Sequence, residues 1–287
     1  MKEPVYDILI KNTRILTEDM KIRTGVDVAV KDGIIASICD SGSHVPAEAD
    51  QTVDGSRLLW MPGLTDGHMH TCQQLLRGKI LDALPMIWTR IMLPFESTLT
   101  PEAVSLSAAL CSLEMIRGGT TAFLDAGGIH MDQAAEVYIK SGLRGALTLS
   151  TMDDTKVPDS MRADAAESIS RLNEYYDTWN GSGDGRLSVC YSLRSLISCS
   201  EELIRGVFEA ADERSAMVEA HMNEYPNEIN YHLERYQIRP VEYLDSLGVL
   251  SERFVSAHSI LLSEHEIELM AAHGVKAVHC PFSNCGK

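Results

Sequence analysis

The sequence predicts an α/β fold of parallel strands with helices outside them, preceded by a small β-sheet. Three observations predict it. Residues 5–39 carry short β-type runs around a two-residue turn signal. From Gly63 onward, apolar strand-like runs alternate with amphipathic helical stretches. Three of those runs end in histidine. Alternation of strand and helix means a parallel sheet, either a TIM-type barrel or an open doubly wound sheet. No Gly-x-Gly-x-x-Gly follows the first strand, which weakens a dinucleotide-binding reading.

In the N-terminal part, Tyr6-Asp-Ile-Leu-Ile-Lys and Arg14-Ile-Leu-Thr read as short strands. Residues 26–31 and 34–38 flank Asp32-Gly33, a strong hairpin signal. A polar linker over residues 40–50 and one further short strand lead to Trp60-Met-Pro-Gly. The domain boundary is therefore expected between residues 1–61 and 62–287. In the second part, strand-like runs follow the His68-Met-His70 segment at residues 120–125, 144–149, 187–192, 216–221, 253–258 and 275–280. That makes seven strands, one short of a closed barrel. Helical stretches fall at 101–117, 131–140, 163–179, 201–214 and 263–273. Ser263-Glu-His-Glu has capping-box spacing, and Gly142 and Gly274 stand where helices should stop.

A chain of 287 residues with 45% hydrophobic residues supports a sizeable core. The formal net charge of −16 argues against nucleic acid or an anionic membrane as partner and fits a small neutral or cationic substrate. No apolar run reaches the length of a membrane span, and Met1-Lys-Glu-Pro-Val does not open a secretory signal. Seven scattered cysteines without a Cys-x-x-Cys pair indicate neither a disulfide framework nor a thiolate zinc site. A reduced, cytoplasmic protein is expected.

Side chains alternate along a strand, so His68 and His70 share a face at the end of the first one. His221 ends the fifth strand and His258 the sixth. Functional side chains of a parallel barrel gather at the carboxyl ends of its strands. Four imidazoles there point to a metal site more readily than to packing. Glu224, three residues beyond His221, is placed to carry a proton from water to a substrate nitrogen. Asp66, Glu219 and Ser256 are expected inside the barrel below the histidines, the carboxylates bonded to histidines or an arginine. His44, His130, His265 and His273 are expected at the surface and His232 on a polar helix. For His279 a buried supporting role beside the site is the reading.

Pro62-Gly-Leu-Thr-Asp-Gly-His-Met-His70, the His221-x-x-Glu224 pair, His258 and Val278-His-Cys-Pro-Phe-Ser-Asn284 together resemble the amidohydrolase superfamily. Within it, the chain is most similar to the methylthioadenosine/S-adenosylhomocysteine deaminase branch and its chlorohydrolase relatives. The sharper match is His68-x-His70-x4-Leu75-Leu-Arg-Gly78, then Asp82, Leu84-Pro85, Trp88, Pro94 and Glu96. The resemblance implies a (β/α)8 TIM-type barrel preceded by part of a small β-sandwich. It implies that His68, His70 and His221 hold one divalent metal, zinc or alternatively iron(II). Glu224 would shuttle the proton and His258 would polarise the attacking water. Glu96 matches a position that binds a ribose diol, and Trp88 would help wall the pocket. Residues 187–196 contain no lysine, so one metal is expected rather than two. Homo-oligomerisation is a further implication of the resemblance.

Three departures qualify it. Arg194 stands where the nucleoside branch has a histidine; this segment is more similar to guanine deaminase, where an arginine contacts an oxo-purine. A buried salt bridge from Arg194 to Glu219 is the alternative. Leu149 replaces an arginine associated with the carboxylate of S-adenosylhomocysteine. The eighth strand, with its aspartate ligand and base, is expected to be absent from this chain, which reads as truncated after the seventh strand. The expected activity is deamination of an aminated purine-type ring, with nucleobase, pterin and adenosine-type nucleoside all open. The alternatives are a triazine-type chlorohydrolase or aminohydrolase and a catalytically incomplete scaffold protein.

Overall fold

The computed structural model describes residues 6–43, 48–80 and 87–285. The first five residues, His44, Asp82, Leu84, Pro85 and residues 286–287 lie outside the described residues. The chain forms two compact units, residues 1–63 and 64–287.

The first unit is a five-stranded sheet. Strands β1 (Tyr6–Leu16), β2 (Ile22–Lys31), β3 (Ile34–Asp40) and β4 (Ala49–Asp54) lie in the order β3-β2-β1-β4, and β5 (Leu59–Trp60) also pairs with β1. The two segments expected as separate short strands are one strand, β1, with register shifts around Thr13. Asp32-Gly33 makes the expected hairpin: Lys31 pairs with Ile34, and both turn residues take positive φ (51° and 73°). Ile15, Val26 and Val28 pack together with Ile10 and Trp60, and Leu9 with its register partner Ala29 is buried on the opposite face.

The second unit alternates strand and helix. Its strands are β6 (Leu64–Met69), β7 (Thr120–Asp125), β8 (Arg144–Leu147), β9 (Leu187–Val189), β10 (Tyr191–Ser195), β11 (Val218–Met222), β12 (Phe254–His258) and β13 (Lys276–Val278). They pair in parallel as β6-β7-β8-β9 and β10-β11-β12-β13. Only Cys190 separates β9 from β10. Its N–H donates to Leu147 of β8, while that of Tyr191 donates to Met217 beside β11, so one stretch of chain serves both sheets. The seven expected strand positions are all present, the fourth being β9 with β10. Among the described residues β6 and β13 do not pair with each other. They do face one another: a Cβ on Gly67 would stand 3.0 Å from Val278. Val278 packs with Leu124, Ala146, Cys190 and Val255 in the barrel interior.

The helices are α1 (Leu93–Glu96), α2 (Pro101–Gly118), α3 (Met131–Ser141), α4 (Ala165–Trp179), the single turn α5 (Ser182–Gly185), α6 (Glu201–Glu213), α7 (Pro226–Tyr236), α8 (Pro240–Ser246), α9 (Glu264–His273) and α10 (Pro281–Asn284). Their ends carry the expected signals. Thr100, Asp164 and Ser200 accept from the N–H three residues on. Ser263 and Glu266 form a capping box, and Gly142 and Gly274 stop helices in the left-handed region. Two packed clusters fill the space between helices and strands. Among the described residues no single helix is long and apolar enough to cross a membrane.

Candidate metal and proton-transfer site

The carboxyl ends of β6, β11 and β12 bring four imidazoles together. Ring centroids of His68 lie 4.9 Å from His70, 4.6 Å from His221 and 5.1 Å from His258. Parallel register accounts for it: Met222 pairs with His258 and His221 with Ala257, so the two strands end level. His68, His70 and His221 each offer a ligand atom within 4.8 Å of the others. Nε2 of His70 and Nε2 of His221 stand 2.9 Å apart. His221 is buried, and burial together with the neighbouring imidazoles holds its pKa well below the ordinary value, so the ring is neutral.

Glu219, two residues before His221 and on the same face of β11, fixes the third ring. Its Oε1 lies 2.9 Å from His68 Nδ1, both side chains being nearly fully buried. A carboxylate there holds the proton on Nδ1 and leaves the Nε2 lone pair for a cation. A neutral imidazole at His221, the His70 ring converging on it and a third ring oriented by a carboxylate fit a first-row divalent ion. The loop after β6 is tied down in turn, because Thr71 donates to the buried carboxylate of Asp125 at the end of β7.

Beside this cluster, Glu224 Oε1 lies 3.3 Å from His258 Nε2. The other nitrogen of His258 lies 3.0 Å from Asn284 Oδ1, which can only accept, so the proton sits on Nδ1 and Nε2 is an acceptor. Burial lowers the His258 pKa to about 4. His258, Ser259 and Asn223 all have positive φ (68°, 52° and 50°), a costly conformation for non-glycine residues that concentrates here where the strands end.

A 520 Å³ cavity opens on the cluster, lined by the four histidines and by Trp88, Arg194, Glu224, Tyr225 and Glu228 among others. Trp88 walls it from a π-helical turn, Trp88–Met92, that runs into α1. Glu96 does not line it. Its carboxylate is fully buried and takes Arg194 Nη2 at 2.8 Å, Arg194 Nη1 at 3.0 Å and Gln73 Nε2 at 2.7 Å. Arg194 is thus paired, but with Glu96 rather than Glu219, which belongs to His68.

The expected ligands and proton carriers come together; other expectations fail. Asp66 is exposed, because the stretch 64–66 of β6 is uncovered. His279 is exposed as well, whereas His232, expected in a polar helix, lies in one but is buried among Tyr231, Tyr236 and Tyr243. Sequence reasoning passed over Gln73 and Glu228. Glu228 carried a readable signal, a glutamate in the first turn after Pro226.

Residues 59–285 match the amidohydrolase family. The chain is 33% identical over 276 residues to 5-methylthioadenosine/S-adenosylhomocysteine deaminase 2 of Archaeoglobus fulgidus, covering 93% of this chain and 64% of the relative. It is 35% identical over 272 residues to 5'-deoxyadenosine deaminase of Methanothermobacter thermautotrophicus, covering 92% and 60%. Its fold superposes on an adenosine deaminase from Xanthomonas campestris with bound zinc at a TM-score of 0.89 and 29% identity, covering 99% of this chain and 65% of that one. The chain therefore spans less than two thirds of the length of these relatives.

Proposed function

We propose, for a chain that belongs to the amidohydrolase family, metal-dependent hydrolytic deamination of an aminated purine-type ring. One observation carries the reading: three imidazoles able to share a cation stand in the same cavity as the Glu224–His258 pair. His68, His70 and His221 would hold one divalent ion, zinc by analogy with the Xanthomonas relative. Such an ion supplies Lewis acidity that brings the pKa of a water molecule down towards neutrality.

The remaining steps belong to the chain's own groups. Glu219 keeps His68 in the tautomer that ligates. His258, its Nδ1–H held by Asn284, offers Nε2 to a proton of the attacking water and so aims it at the amino-bearing carbon. Glu224 takes one proton from that water and delivers it to the adjacent ring nitrogen; the second, hydrogen-bonded by His258 Nε2, passes to the amino group, so that the C–N bond breaks, ammonia leaves and the added oxygen becomes a carbonyl. Trp88 covers the ring and keeps bulk water out. Arg194 and Glu96, occupied with one another, shape the wall; a direct role for either in holding substrate requires their pair to open. Free thiols at all seven cysteines suit a reducing cytoplasm.

The test is zinc-loaded protein assayed for ammonia with guanine, isoxanthopterin, adenosine and methylthioadenosine. Ammonia from at least one, abolished in E224Q, is the expected result. Silence on all four defeats the assignment. Chloride without ammonia from a chlorotriazine would move it to halide hydrolysis, and protein that retains no stoichiometric metal would favour a scaffold.

A further inference from the structure

We propose that Glu228 is a specificity-determining residue whose Oε1 hydrogen-bonds a polar group of the ring substrate; the proposal rests on the deaminase reading of the same cavity. Glu228 is the third residue of α7 and 4% exposed. Its Oε2 accepts from the backbone N–H of Glu224 at 3.1 Å. Among the described residues its Oε1 is buried without a hydrogen-bond partner, although the residue lines the cavity that holds the histidines and Glu224. A carboxylate whose only task was to open a helix would sit in water as an anion, where the helix dipole favours it. A buried polar atom left without a protein partner costs free energy that a bound ligand can recover.

The protonation state says which partner. Burial pushes the Glu228 carboxyl up to about 8, so it is a neutral acid at pH 7. Oε2 already accepts an amide, which puts the proton on Oε1 and makes that oxygen a donor. The charged and titratable groups around it agree. Glu266 of α9 adds a like charge, itself held by Arg239 and Asn223. His232, one turn further along α7, is neutral because burial lowers it to about 4. Of the elements packed on α7, the turn Leu196–Ser198 has no ionisable side chain. In α8, Glu242 accepts from the Arg239 N–H and Asp245 pairs with His273. Glu224 and Tyr225 precede the helix, and Arg194, bound to Glu96, lines the cavity with the four histidines. Among the described residues none supplies an acceptor to Oε1. The substrate class is therefore a ring that presents an acceptor, a carbonyl oxygen or an unprotonated ring nitrogen, towards α7.

The experiment compares zinc-loaded wild type, E228Q and E228L as full chains. Ammonia kinetics with adenosine and guanine, calorimetric binding of the same two ligands, and melting temperature are measured. Gln keeps both a donor and an acceptor; Leu keeps neither. The expected result is a KM raised about 10–100-fold in E228L, with kcat changed less than KM. E228Q recovers most of the KM and lacks the rise of KM above pH 8 that is expected of wild type. An E228L KM equal to wild type overturns the inference and leaves deamination standing. A joint loss of kcat and melting temperature in both variants also overturns it, reducing Glu228 to a helix-opening residue. Weaker calorimetric binding in E228L, with no ammonia from any protein, upholds the inference and removes deamination. Wild type that binds neither ligand overturns both.

Discussion

Arg194→Met removes one half of a pair that has no access to water. Side-chain exposure is 1% for Arg194 and 0% for Glu96, and two hydrogen bonds, one from each terminal guanidinium nitrogen to its own carboxylate oxygen, join them. The substitution leaves a buried carboxylate with Gln73 as its remaining partner among those described above. Breaking such a pair costs about 3–5 kcal/mol, because the surviving charge keeps its desolvation penalty and loses its compensation. For a unit of this size each kcal/mol moves the melting temperature by about 2–4 °C, so a fall of about 6–20 °C is expected. The double variant E96L/R194M removes both charges together and should recover most of that fall, since an apolar replacement of a buried pair is close to neutral. The loss also reaches the site. Glu96 closes the helical turn that follows Trp88, and Gln73 donates its backbone N–H to His70, so a loosened pair frees a cavity wall and a ligand loop at once. Thermal melts of the four proteins of the cycle, followed by circular dichroism, decide it. A single variant melting within about 2 °C of wild type, or a double variant that loses the sum of the two singles, would refute the reasoning.

Glu219→Gln should weaken zinc affinity about 10–100-fold, since it removes the carboxylate that orients His68; competition against a chromophoric chelator measures it, and unchanged affinity counts against the arrangement. His70→Ala and His221→Ala should each abolish stoichiometric metal after dialysis against equimolar zinc; one retained equivalent by elemental analysis would contradict the three-imidazole site. Glu228 makes stability depend on pH in a definite sense. Its folded pKa, about 8, lies above the ordinary 4.5, so the native state binds the extra proton between those values. Its contribution is complete below pH 4.5 and is lost as pH rises through 8. Melting temperature should accordingly fall from pH 6 to pH 9 in wild type and fall less steeply in E228Q; equal slopes would show that Glu228 is already ionised at pH 6.

Much of the fold was legible because its signals are local. Strand alternation, helical periodicity, the Asp32-Gly33 turn and the Ser263–Glu266 box are each written within about ten residues, and each formed where expected. The histidines were legible for the same reason. A parallel sheet aligns its strand ends, so residues at the ends of separate strands meet without further information. Only the tertiary structure decided who pairs with whom. His68 and Glu219 are 151 residues apart, Arg194 and Glu96 are 98 apart, and the choice between Glu96 and Glu219 as the arginine's partner is made by strand register and by where α1 lands. Burial was decided there too, covering His232 and leaving Asp66 in the open. A buried ionisable group takes whichever complementary atom packing brings within about 3 Å, and a linear pattern does not encode that distance.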